Sequence, residues 1–156
     1  MTGLSQDVAL RILGLDHIVL RARDAERLVR FYCDVLGCRV EKRQEKLGLI
    51  QLRAGSTLID IVGIDGELGR MGGAAPGREG RNLDHFALRI EKLDPRSLRD
   101  HLARHGVEMG EVKSRYGAEG DGPSIYLLDP ERNTVELKGA AYQGAKPGTG
   151  AAPQAG

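Results

Sequence analysis

Residues 15–21 read LDHIVLR, and residues 83–89 read LDHFALR. Five of the seven positions are identical, and the two that differ exchange one apolar residue for another. The copies are offset by 68 residues, from His17 to His85. A self-match at fixed offset marks a repeated structural unit, and the signals around it repeat as well. Each copy alternates as a strand does, with Leu15, His17, Val19 and Arg21 on one face of the first. Each is followed by a helix start: Asp24 in the first half, and Asp94-Pro95 in the second, where proline suits the first helical position. Leu28, Tyr32, Val35 and Leu36 then recur at helical spacing up to Gly37. Leu98 and Leu102 do the same up to Gly106.

Three apolar-rich segments complete each half. They are CRVEKRQ, LGLIQLRAG and TLIDIVG in the first, and VEMGEVKS, SIYLLD and TVELKG in the second. Each half is thus read as βαβββ. Neither half is large enough to bury its own sheet, so the pair must share a core. The expected fold is α+β: paired βαβββ modules forming a curved mixed sheet around a cavity. The boundaries are a leader at 1–14, a first module at 15–63, a Gly-rich linker at 64–82, a second module at 83–139 and a disordered tail at 140–156. The linker is long for a compact domain and hints at a functional flap. The tail has too little apolar material to pack.

Histidines at equivalent positions of a repeat can converge on a shared cavity, which makes His17 and His85 candidate metal ligands. Asp60 is flanked by apolar strand residues, where a carboxylate is costly to bury unless paired or bound to metal. Glu136 occupies the corresponding final strand of the second half. His17, Asp60, His85 and Glu136 form a nitrogen and oxygen donor set without thiolate. Such a set suits one divalent ion: Ni, Zn, Mn, Co or Fe. Arg21 and Arg89 follow the histidines by four residues, on the same strand faces. They are expected to line the rim and bind an anionic substrate. His101 and His105 have metal spacing on a helix but lack the glutamate of H-E-x-x-H. GAEGDGP at 117–123 lacks the order and ending of a P-loop and reads as a mobile loop. Ser124 has no G-x-S-x-G setting.

Composition narrows the classes. Among 156 residues, 40% are hydrophobic and 29% charged, the formal net charge is +1, aromatics are 4% and Trp is absent. Nothing here favours nucleic acid or a membrane surface. Cys33 and Cys38 make neither a disulfide framework nor a zinc site, and read as buried thiols. MTGLSQDVALRILG lacks the features of a secretory signal, so the expected compartment is the cytoplasm.

Five stretches, LDHIVLRARD, FYCDVLGCRV, IDIVG, LDHFALRI and SIYLLDPERNTVEL, occur in an order that resembles the vicinal oxygen chelate superfamily. That superfamily includes glyoxalase I, extradiol dioxygenases, fosfomycin-resistance enzymes and bleomycin-resistance proteins. The resemblance covers about residues 15–139. It implies a metal held between paired βαβββ modules, with His17, His85 and Glu136 on ligand positions. Asp60 falls where glyoxalase I carries a glutamate, and is one methylene shorter. Arg21 matches an arginine that holds glutathione there, whereas Ile64 replaces an asparagine that contacts it.

The resemblance implies first a glyoxalase-I-like lyase or isomerase. Glu136 or Asp60 would then move a proton through a metal-bound enediolate of a small substrate, anionic or a glutathione adduct. An Fe(II) extradiol ring-cleaving dioxygenase is the alternative, with Tyr126 as its acid–base residue. A fosfomycin-type transferase or hydrolase and a metal-free drug-binding protein are further readings. A homodimer is compatible with all of them.

Overall fold

The computed structural model describes residues 10–144. The expected disorder of the tail lies, from residue 145 on, outside the described residues, as do the first nine residues of the leader. In the first half β1 (His17–Ala22) leads into α1 (Ala25–Arg30), then β2 (Arg39–Gln44), β3 (Leu49–Ala54) and β4 (Thr57–Gly63). A short helical turn, α2 (Glu67–Arg70), lies inside the linker. The second half follows with β5 (Phe86–Arg89), α3 (Pro95–Arg104), β6 (Lys113–Gly117), β7 (Gly120–Leu128) and β8 (Thr134–Lys138). The sheets have matching orders, β1-β4-β3-β2 and β5-β8-β7-β6. In each, the first and last strands of the module pair in parallel, and the remaining pairs are antiparallel.

The repeat therefore becomes two four-stranded mixed sheets. Their inner faces meet in one core, where Leu20, Ile59 and Ile61 from the first sheet join Leu102, Ile125, Val135 and Leu137 from the second half. The first helix runs on through a π turn, Phe31–Val35. Its extra residue per turn lets the consecutive Phe31 and Tyr32 both enter the core. Gly37, at φ +75°, then turns the chain out.

Polar contacts lock the halves together. Tyr32 Oη donates to Asp129 Oδ2 at 2.8 Å. The backbone NH groups of Glu131 and Asn133 reach Asp129 Oδ1 at 2.9 Å each, and Asn133 Nδ2 reaches Oδ2 at 2.8 Å. Burial nevertheless raises the Asp129 carboxyl, and burial beside Asp129 pushes the Tyr32 phenol well up. His101 Nε2 donates to the Val35 carbonyl at 2.7 Å, so this histidine also serves the junction. Cys33 and Cys38 are free thiols, and burial pushes Cys38 up to about 11.

Three expectations are corrected. GAEGDGP is no loop: Gly117 pairs with Gly120 and closes a hairpin across Ala118-Glu119, with Gly120 at φ +110°. Its glycines answer a tight turn between strands, which composition alone reads as mobility. VEMGEVKS is mostly outside a strand, which begins only at Lys113. LDHFALRI yields a four-residue strand, so His85 stands immediately before it.

Candidate metal centre

The core-facing alternation fixes where the histidines point. In β1, Leu20 and Ala22 are buried in the core, so His17, Val19 and Arg21 take the outer face. In the second half Phe86 and Leu88 pack on the core, which sends His85, Ala87 and Arg89 to the outer face. β1 and β5 are edge strands, whereas β4 and β8 each have neighbours on both sides. The histidines are consequently exposed, while Asp60 and Glu136 are only 5% and 6% exposed among the side chains of adjoining strands.

Both histidines are held in the same way. Asp16 Oδ1 accepts from His17 Nδ1 at 2.6 Å, and Asp84 Oδ2 accepts from His85 Nδ1 at 2.5 Å. Each contact leaves Nε2 as the ring atom available to a metal, the usual way an outer carboxylate fixes a ligand's tautomer. The Asp16 hydrogen bond is also the main cause that raises the His17 pKa, with the Asp60 charge adding to it. Sequence reading overlooked Asp16 and Asp84 because strict alternation sends them to the other face. The signal was the Asp-His dipeptide itself, present in both copies.

The second half-site is the more open to a cation. His85 Nε2 lies 3.5 Å from Glu136 Oε2. Among the described residues Glu136 Oε1 is buried without a hydrogen-bond partner, an arrangement that costs free energy unless a cation or donor meets it. The Tyr126 ring stands edge-on to His85 at 5.4 Å, and Arg115 lies over the same ring at 4.3 Å. Tyr126 is the direct cross-strand neighbour of Glu136. In the first half-site, Gln51 Nε2 donates to both Asp60 oxygens, at 3.3 and 3.2 Å. Gln44 in turn donates to Gln51 at 3.2 Å.

One chain does not bring the two halves together. Among the described residues no three His, Cys, Asp or Glu side chains converge as a metal site. His17, Asp60, His85 and Glu136 thus stand as two pairs, one in each module. Leu20 and Ala22, with Phe86 and Leu88, face the shared core, and His17 and His85 take the opposite faces. The cleft that does open between the modules, about 790 Å³, is lined by apolar residues such as Ile18, Leu58, Phe86 and Leu88 and contains none of the four.

The arginines differ from each other. Arg21 donates to the carbonyls of Ala74, Gly69 and Gly73 at 2.9, 2.8 and 2.9 Å. It thereby pins the linker instead of standing free at a rim. A side chain at Gly72 would meet the guanidinium at 2.5 Å, so Arg21 would have to shift to admit one. Asn82 adds a second tie, accepting from the Arg21 backbone NH at 3.1 Å and donating to its carbonyl at 2.9 Å. Arg89 is exposed and pairs with Glu119. One further cation was not expected: Lys138 lies two residues beyond Glu136 on the same face, and its Nζ is buried with no hydrogen-bond partner among the described residues.

Comparisons with known proteins agree with this architecture. A model of the Glyoxalase/Bleomycin resistance protein/Dioxygenase superfamily matches residues 14–137. The chain belongs to that superfamily. It is 32% identical over 143 residues to a glyoxalase domain-containing protein, RDO1, of Mycosarcoma maydis, covering 90% of this chain and 75% of that protein. It is 26% identical over 140 residues to a catechol-2,3-dioxygenase of Bacillus subtilis, where the match covers 88% of this chain but 43% of the relative. The chain thus spans less than half of that dioxygenase. Among solved structures, the fosfomycin resistance protein FosX of Mesorhizobium loti superimposes with a TM-score of 0.59 at 21% identity, covering 84% of this chain and 95% of that one. That likeness speaks for the fold.

Proposed function

We propose that this chain is a divalent-metal enzyme whose centre is completed by a second copy, with His17 from one chain meeting His85 and Glu136 from the other. The observation that carries the reading is the pair His85–Glu136, oriented by Asp84 and left with an unpartnered buried oxygen. The outward direction of both half-sites supports a site assembled between copies, since a twofold operation can juxtapose unlike faces of two chains twice over. The donors fit Ni, Zn, Mn, Co or Fe(II) by their nitrogen and oxygen chemistry. When bound, such an ion supplies Lewis acidity toward two neighbouring oxygens of a small substrate.

The reaction we assign is glyoxalase-like proton transfer. Glu136 is the base: its buried oxygen carries no competing hydrogen bond and can take a proton from a carbon next to a carbonyl. Tyr126, at its side, shields the carboxylate from water and positions the His85 ring. Asp60 is less free for this role because Gln51 already bonds both its oxygens. Lys138, two residues along β8 from the base, has a buried Nζ without a hydrogen-bond partner among the described residues, which favours an anionic substrate. A glutathione adduct has less support, as the Arg21 donors are engaged by the linker. The second reading, ring cleavage of a catechol with Fe(II), is favoured by Tyr126 against His85 and by the dioxygenase relative.

The test is to load the protein anaerobically with each metal in turn and assay two reactions. Isomerisation of 2-oxoaldehyde adducts, including the methylglyoxal–glutathione hemithioacetal, and lost in Glu136→Gln, supports the first reading. Oxygen uptake with catechols, confined to the Fe(II) form, replaces it with the second. Loss of neither metal nor activity in Glu136→Gln would remove Glu136 from the centre.

A further inference from the structure

Away from the metal ligands, a pocket of about 480 Å³ opens between the end of the linker and the β7–β8 turn. Four arginines line it: Arg23 just after β1, Arg78 and Arg81 from the linker, and Arg132 from the turn. Its only carboxylate is Glu131, whose Oε1 already accepts from the Asp24 backbone NH at 2.6 Å. None of the four guanidinium groups has a hydrogen bond or an ion pair among the described residues. This concentration is local, for the whole chain has a formal net charge of only +1.

The walls of the pocket are fixed. Arg21 holds the carbonyls of Gly69, Gly73 and Ala74, and Asn82 bridges Arg21 to Asn133 Oδ1 at 3.0 Å. Gly77 and Gly80 close a turn that carries Arg78, with Gly77 N donating to Gly80 O at 3.0 Å. A Cβ at Gly77 would sit 3.9 Å from Arg23 Nη2, so this arginine reaches across to the linker. Arg132 adopts φ +68°, the one described non-glycine residue with positive φ. Glycine takes that conformation without cost, and a long side chain does not. The turn thus holds an arginine where its backbone favours glycine, and that arginine lines the pocket with three others.

Like charges gathered without partners repel, and a multiply charged anion between them removes the repulsion. Guanidinium groups offer paired N–H donors in a plane that matches phosphate oxygens. The volume suits a small molecule and not a single ion. We propose that this pocket binds a small polyanion of the phosphate type, with two or more negative charges, independently of the metal centre.

Calorimetric titration of the full protein with inorganic pyrophosphate in low salt tests this. The expected result is saturable binding that weakens as salt rises. Arg78→Ala/Arg81→Ala should weaken it at least tenfold, about what the loss of ~1.4 kcal/mol produces. Arg132→Gly should weaken it while leaving the melting temperature equal or higher, which separates lost binding from lost fold. His85→Ala should bind pyrophosphate as the parent does. Absence of saturable binding, binding unchanged in both arginine variants, or binding lost in His85→Ala but kept in them would each overturn the proposal. The last outcome would place the anion at the metal centre.

Discussion

The two half-sites descend from one sequence pattern and end in different chemical states. Each has a histidine at the start of an edge strand or just before it, an aspartate one residue earlier on its Nδ1, and a carboxylate buried on the adjoining central strand. In the first, the Asp60 oxygens are bonded by Gln51. In the second, Glu136 retains a buried oxygen without partner and lies 3.5 Å from its histidine. The extra methylene of glutamate and the absence of a glutamine opposite explain the difference, because Tyr126 stands where Gln51 stands in the first sheet. A repeat conserves the frame; the residue across the strand decides whether the carboxylate is available.

The strongest way to break this comparison is to remove the second half-site. His85→Ala should lose metal by more than the roughly 10–100-fold typical of removing an outer-shell partner. Metal content after dialysis, read by mass spectrometry, checks it, and full retention would exclude His85 as a ligand. Asp84→Asn and Asp16→Asn should each weaken metal affinity by about 10–100-fold, since both histidines depend on an outer carboxylate. A change in only one of them would show that the symmetry of the Asp-His pairs is formal.

Asp129→Asn probes the junction that sets the half-sites back to back. An amide there cannot accept from all the donors that surround the carboxylate, and urea unfolding should show a loss of about 2–3 kcal/mol. Metal content per folded chain should stay close to the parent value. The smallest effect is expected at Asp60. Asp60→Asn should change metal affinity by less than about tenfold, the equivalent of ~1.4 kcal/mol. A larger loss would make Asp60 a ligand and erase the contrast between the halves.

Much of the frame was legible in LDHIVLR and LDHFALR. The repeat set two like modules, and alternation set His17 on the strand face it shares with Leu15, Val19 and Arg21. Glu136 was singled out by its position in the last strand, and its burial was not legible from the polar Thr134 and Lys138 on the same face. Burial came from the flanking strands, which a single strand's pattern does not display. What sequence could not supply was the side on which the sheets meet. A shared cavity and a shared core both satisfy the same alternation, and only the packing of Leu20 and Ile61 with Val135 and Leu137 separates them. The surroundings of Arg21 were hidden for a similar reason: its spacing from His17 is local, while its donors answer carbonyls some 50 residues away.

The claim that two copies complete one centre is tested most directly by complementation. His17→Ala and His85→Ala proteins, each without metal, are mixed, unfolded and refolded together. A mixed dimer then contains one site with both changes and one site with neither. Recovery of metal and activity in the mixture, absent from either variant refolded alone, is the result expected. A mixture as inert as its parts would contradict an assembled centre and return the metal, if any is bound, to a single chain.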